Sequence, residues 1–270
     1  MNKKTKMNIF IFFGVCFFLY LAIVLVIYLF QNKLLYHPSE NNYLDENLLN
    51  HKIRKIYIAS DDKLISWYFE KNKNYKTILF FHGNAGKIDN RIYKLNELSK
   101  LDINYLIFAY RGFSGNKGKP NEQGLYKDAR AAKYYLNLNN IPDNNIILYG
   151  ESLGTSVAVD LAKDHNFSGI ILESPFTSMV TLAQKYYPYL PAKILLKDKY
   201  ESYKKIKSVK SPILIMHGEN DNIVPFSMGK KMYDLANEPK YFYFPKYDDH
   251  MMEYNQELIN SIDSFIKSLN

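Results

Sequence analysis

Hydrophobic residues first gather into one uninterrupted run. Ile9 to Phe30 is 22 residues without a charge. At about 1.5 Å per helical residue, such a run spans the roughly 30 Å hydrocarbon core of a bilayer. It predicts one transmembrane helix ending near residue 30. Residues 31–50 read as a polar juxtamembrane connector, and 51–270 as one domain. The pattern there starts with alternation. His51 to Ala59 alternates, with Ile53, Ile56 and Ile58 apolar, and Lys63 to Glu70 alternates again, with Leu64, Trp67 and Phe69. With Asp61-Asp62 between them, these predict an antiparallel hairpin. Continuous apolar runs follow at Thr77 to Phe81, Tyr105 to Tyr110, Ile146 to Tyr149, Gly169 to Leu172 and Pro212 to Met216, and Lys240 to Phe244 reads as a last strand. Strands buried on both faces read this way. Between them lie helical spacings at 88–98, 121–138, 153–163 and 227–236. A last amphipathic helix carries Leu258, Ile259, Ile262, Phe265 and Leu269. Strand and helix in alternation predict an α/β fold: a mostly parallel central sheet flanked by helices, with the hairpin at one edge. Residues 176–208 break the alternation. Their Tyr186-Tyr187-Pro188-Tyr189-Leu190-Pro191 run and lysine-rich continuation predict a small cap.

Charge orients the first helix. The net charge is +8, and Lys3, Lys4 and Lys6 stand before the apolar run, with Lys33 after it. Positive charge retained on the cytoplasmic side predicts a cytoplasmic N-terminus and a translocated, extracytoplasmic domain. The run exceeds the 7–15 apolar residues of a cleaved signal peptide and has no small-residue cleavage site after it, so an uncleaved signal anchor is expected. The remaining lysines are scattered rather than striped with aromatics, which argues against a nucleic-acid partner. A single cysteine, Cys16, leaves no intrachain disulfide and no cysteine-rich metal site. The glycine-rich stretch 111–120 lacks the spacing of a phosphate-binding loop.

The chemistry centres on Gly150-Glu151-Ser152-Leu153-Gly154. It reads G-x-S-x-G between an apolar run and a helix, the setting of a strand–turn–helix that lifts a serine hydroxyl above a sheet. Flanking side chains larger than glycine would clash there. Parallel α/β sheets gather their functional loops at the carboxyl ends of the strands. The strand ends here offer Ser152, Glu173, Asp221, His250 and the His82-Gly83-Asn84 turn. A serine nucleophile needs a base, and the base needs an acid to hold its tautomer. The chain order Ser152, Asp221, His250 is that of α/β-hydrolases. Glu173 is the rival acid.

Five stretches together resemble the α/β-hydrolase superfamily. They are His82 to Gly86, Tyr110 to Gly115, Gly150 to Gly154, His217 to Pro225, and the final histidine. With the apolar N-terminal run, the chain is most similar to membrane-anchored α/β-hydrolase-domain (ABHD-type) serine hydrolases. The resemblance covers roughly residues 31–265. One departure is Gly115-Asn116-Lys117-Gly118, where relatives often carry serine near the second glycine. The resemblance implies Ser152 as nucleophile, His250 as general base and Asp221 as orienting acid, with the backbone amides of Leu153 and Asn84 as oxyanion hole. It implies no cofactor and no metal. His82 and His217 would hold loops, while His37, His51 and His165 would be exposed; Asp248 and Asp249 would be solvated or support the histidine.

The expected reaction is cleavage of an ester or thioester through an acyl-enzyme, with lipid or acyl substrates made accessible by the membrane helix and an apolar cap. Acyl-protein thioesterase activity belongs to the same group, although an extracytoplasmic domain would not meet cytoplasmic acyl-proteins. Two other readings are a serine peptidase on the same fold and a catalytically silent binding module.

Overall fold

The computed structural model describes residues 2–39 and 44–269. The middle of the expected connector, 40–43, lies outside the described residues. The chain begins with helix α1 (Lys3–Leu35), followed by strands β1 (His37–Pro38), β2 (Arg54–Ala59), β3 (Lys63–Phe69), β4 (Lys76–Phe81) and β5 (Ala85–Gly86). Helix α2 (Ile92–Leu98), β6 (Ile103–Phe108) and α3 (Glu122–Leu138) come next. Then β7 (Ile146–Glu151), α4 (Leu153–Ala162) and β8 (Gly169–Glu173) surround the serine. The cap segment holds α5 (Met179–Tyr186), α6 (Ala192–Leu195) and α7 (Ser202–Lys205). The chain closes with β9 (Ile213–Met216), α8 (Phe226–Leu235), β10 (Lys240–Tyr243) and α9 (Gln256–Ser268).

Eight strands form one sheet in the order β10-β9-β8-β7-β4-β6-β3-β2. The hairpin β2–β3 is antiparallel and joins β6 antiparallel. The six strands from β10 to β6 run parallel. Successive strand residues point to opposite faces, and every residue of β6, β7, β8 and β9 is buried. Both faces of the sheet centre are therefore covered, which is why these strands read as continuous apolar runs. β6 leaves the ladder earlier than the Tyr105–Tyr110 run predicted, because the Tyr110 amide turns to donate to His82 Nε2 at 3.3 Å. Helix starts follow the local sequence: Asn121 accepts from the Gly124 amide to open α3, and Asn255 from Leu258 to open α9.

α1 is long and apolar enough to cross a membrane, with a mean hydropathy of 3.0 in its best window. It does not stop at residue 30. Gln31 to Leu35, expected as the start of a connector, continue the helix and dock on the α/β domain. Buried Gln31 is the reason: its Nε2 donates to Leu195 O at 3.2 Å, and its Oε1 accepts from Lys197 N at 2.8 Å. Tyr36 then donates to Asp198 at 2.7 Å, and β1 pairs in parallel with β5.

Candidate active site

Two glycines allow the turn that carries Ser152. A Cβ on Gly154 would lie 2.0 Å from Phe81 O, and one on Gly150 would lie 2.6 Å from Gly154 O. Strand β4 and helix α4 therefore approach the turn closer than any side chain permits. Ser152 itself takes φ 50° and ψ −113°, in the strained region where non-glycine residues are uncommon. Its amide is fixed by donation to Glu173 O at 2.8 Å, and its carbonyl accepts from Thr155 Oγ1 at 2.6 Å.

The structure brings Ser152, His250 and Asp221 together. His250 Nε2 lies 3.0 Å from Ser152 Oγ, and His250 Nδ1 lies 2.7 Å from Asp221 Oδ2. Because a carboxylate only accepts, Nδ1 carries the proton and Nε2 is free to accept from the serine hydroxyl. Asp221 is fully covered at its side chain. Its Oδ1 accepts from the amides of Ile223 and Val224 at 2.8 and 2.7 Å. His217 Nε2 approaches its Oδ2 at 3.1 Å and Val224 O at 3.0 Å. Burial opposes the charge on Asp221, but donation from His217 and His250, the charge of His250 and the Val224 amide outweigh it. The carboxyl is held well below the usual carboxylate range. Gly218 lets the histidine loop settle on the acid loop, since a Cβ there would meet Asp248 O at 2.3 Å. Asp248 and Asp249 shape this loop by accepting from the amides of Glu253 and Met251.

Leu153, at the start of α4, and Asn84, on the turn after β4, line the same cavity as Ser152. That cavity measures about 530 Å³, and most of its wall is apolar. His82 fastens the Asn84 turn. It is fully buried; its Nδ1 donates to Gly83 O at 2.7 Å and its Nε2 accepts from Tyr110 N. Burial, aided by the charge of Arg91, pushes it down to about 3, so it is neutral. Of the histidines expected to be exposed, His37 is, while His51 and His165 are half-buried. His51 Nε2 sits 2.6 Å from the Tyr105 hydroxyl, and burial lowers its affinity for a proton.

Comparison with known proteins agrees with this architecture. Residues 94–265 match the prolyl oligopeptidase family. The chain belongs to that family, within the α/β-hydrolase superfamily. It is 35% identical over 224 residues to protein Rv2307c of Mycobacterium tuberculosis, covering 81% of this chain and 80% of that one. It is 35% identical over 196 residues to the lysophosphatidylserine lipase ABHD12 of Danio rerio, covering 64% of this chain and 51% of the lipase. Among solved structures, the Pyrococcus furiosus esterase Pf2001 superposes with a TM-score of 0.70 at 18% identity, over 87% of this chain and 98% of the esterase. At that identity the likeness shows the fold.

Sequence reasoning missed the support beneath the serine of this α/β-hydrolase. Glu151 accepts from Arg91 Nη2 at 2.6 Å and Lys94 Nζ at 2.9 Å; Lys94 also bonds Glu173 at 2.6 Å. Glu173 Oε2 accepts from the hydroxyls of Tyr149 and Tyr254, each at 2.7 Å. Glu173 is thus occupied below the sheet edge and does not meet His250, which removes it as the rival acid. Burial opposes the charge on Lys94, but Glu151 and Glu173 outweigh it and raise its proton affinity. Arg91 also donates to Ala85 O at 2.8 Å and Lys87 O at 3.1 Å, so one guanidinium joins the serine turn to the Asn84 turn. The signal was present in the sequence: Lys94 is a cation among Ile92, Leu95 and Leu98, on the face that buries α2.

Proposed function

We propose that the chain is a membrane-anchored serine hydrolase that cleaves the ester or thioester of a lipid or acyl substrate. The observation that carries this reading is the hydrogen-bonded line Asp221–His250–Ser152 opening on an apolar cavity. Ser152 Oγ attacks the carbonyl carbon while His250 Nε2 takes its proton. The oxygen that becomes negative is stabilised by the Leu153 and Asn84 amides, the first aided by the N-terminal end of α4. Ionised Asp221 stabilises the imidazolium that forms. His250 returns the proton to the departing alcohol or thiol, and then activates a water that releases the acid from Ser152. The lysophospholipid-type ester named for the Danio rerio relative belongs to this class. α1 anchors the enzyme, with Lys3, Lys4 and Lys6 favouring a cytoplasmic N-terminus and an extracytoplasmic catalytic domain.

A second reading, a serine peptidase, is favoured by the name of the matched family. The apolar wall of the cavity suits an acyl chain better than a peptide backbone with its row of polar groups. The test is labelling of the full-length chain in detergent by a fluorophosphonate probe, followed by turnover of p-nitrophenyl esters and aminoacyl amides. Labelling is expected, and its loss in Ser152→Ala should accompany a fall in kcat of about 10⁴-fold or more. Folded protein that does not label would overturn the proposal and leave a binding module; turnover of amides over esters would leave the peptidase.

A further inference from the structure

The cavity above Ser152 is not walled by the catalytic domain alone. Ile27, Gln31, Leu34 and Leu35 of α1 line it together with the cap residues Leu182 and Leu190. Ser152 and Ile27 border the same space, so it is continuous from the nucleophile to the apolar run of the anchor. The helix is fastened to the cap along this stretch. Tyr20 donates to Tyr189 O at 2.9 Å, Gln31 is bonded at both ends of its amide, and Tyr36 is bonded to Asp198.

The position of these contacts along the helix sets their depth. Tyr20 to Phe30 covers about 15 Å of helix, half of a hydrocarbon core of about 30 Å. The cap therefore stands beside the half of the apolar run nearest the catalytic domain. Its side chains fit that surrounding: Tyr186, Tyr187 and Tyr189 border the cavity and are also exposed, and Ile194, outside the cavity lining, is exposed at 82%. Lys185 and Lys193 stand among them, and Lys197 Nζ sits 4.4 Å from the centre of the Tyr28 ring. Tyrosines with lysines that reach outward are the composition of a membrane interface, where ring and alkyl stem are buried and the polar tip stays wet. Water gives no reason to expose Ile194 beside three tyrosines.

We infer that the C-terminal half of α1 forms one wall of the acyl-chain site, and that the cap sits in the adjacent leaflet so that a membrane lipid's chain passes sideways into the cavity between helix and cap. This rests on the ester-hydrolase reading of Ser152. It makes the anchor a determinant of chain-length specificity. A cavity of about 530 Å³ falls in the range of sites that enclose small ligands, and Ile27 and Leu34 narrow or widen it from the helix side.

The test uses the full-length chain in phosphatidylcholine vesicles with p-nitrophenyl butyrate and dodecanoate. Ile27→Trp and Leu34→Trp are each expected to lower the dodecanoate-to-butyrate ratio of kcat/KM by about tenfold or more, while fluorophosphonate still labels Ser152. Leu34→Ala, which removes volume rather than adding it, should raise the ratio. Unchanged ratios in labelled protein would overturn the inference and leave the ester-hydrolase reading standing; absence of labelling in the wild-type chain would remove the reading underneath. Depth is read separately. Trp67, the single tryptophan, is fully buried in β3. In a Trp67→Phe background, Tyr189→Trp fluorescence should be quenched by lipids brominated on their chains. Unquenched emission would overturn the seating of the cap in the leaflet.

Discussion

The two sides of Ser152 are built from opposite materials. Below it, Arg91, Lys94, Glu151 and Glu173 are buried as a balanced set of two cations and two carboxylates, closed by the hydroxyls of Tyr149 and Tyr254. Above it, the cavity is lined by aliphatic and aromatic side chains of α1 and the cap. The difference follows from what each side must do. A strained serine turn has to hold its hydroxyl to within a fraction of an ångström, and charge-assisted hydrogen bonds fix direction as well as distance. An apolar surface such as the one proposed to bind a chain needs no direction, because apolar burial is proportional to area and tolerates many chain positions. The ionic set is therefore a framework for geometry, and its removal should harm the fold more than any change above the serine.

The largest expected effect breaks the lower region. Lys94→Met leaves Glu173 with hydroxyl donors only and Glu151 with Arg91 alone. A buried charge left uncompensated costs about 3–5 kcal/mol, read as a lowered urea midpoint of the chain in detergent micelles. Adding Glu173→Gln should recover part of that loss, since it removes the stranded charge. A double variant no more stable than Lys94→Met would show that packing, rather than charge balance, sets the cost. The contributions of Glu151 and Lys94 should not respond to pH in the neutral range. Glu151 is held below its ordinary value and Lys94 above its own, so the first contribution is lost only in strong acid and the second only in strong base.

This contrast also explains what the sequence revealed. That Ser152, Asp221 and His250 come together was legible because each follows a strand and their chain order is the one found in α/β-hydrolases. The hairpin was legible through its alternation. Glu173 was legible as a strand-end acid, but its partner was not, because the bond to Lys94 joins residues 79 positions apart. Periodicity reports which face is buried and is silent on which buried charges meet. The end of α1 was misread for a related reason: Gln31 is polar and signals a helix leaving the membrane, whereas its amide is spent on the backbone of the cap.

His82 lies at the seam between the two regions and tests whether the seam is sealed. Its folded value near 3 is depressed from an ordinary value of about 6.5. A depressed histidine binds its proton more readily when unfolded, so its contribution is complete above about pH 6.5 and falls by about 1.4 kcal/mol per unit below it, down to about pH 3. Between pH 7 and pH 5 the wild type should lose about 2 kcal/mol from this site. His82→Gln keeps an acceptor for the Tyr110 amide and cannot take a proton. The wild-type-minus-variant difference in unfolding free energy should carry that slope; a flat difference would mean that water or a counter-charge reaches His82.

The smallest expected effect concerns the same turn from its upper side. Asn84 Nδ2 donates to Leu35 O at 2.8 Å, while Asn84 O accepts from His37 N at 2.9 Å. The last carbonyls of a helix have no partner within it, so the Asn84 side chain supplies one and ties the end of α1 to the turn after β4. Asn84→Ala keeps the backbone amide that would face the oxyanion and removes this one tie, leaving β1 paired with β5. One such hydrogen bond is worth about 1 kcal/mol, equivalent to about a fivefold fall in kcat if all of it is felt in the transition state. A fall of a hundredfold or more would equal the loss of an oxyanion donor and would mean that the helix end alone sets the position of the amide. No fall would mean that Arg91, which bonds the carbonyls of Ala85 and Lys87, and the β1–β5 pairing hold the turn without this side-chain bond. The kcat of this one variant thus reports how the two regions share the placement of the Asn84 turn.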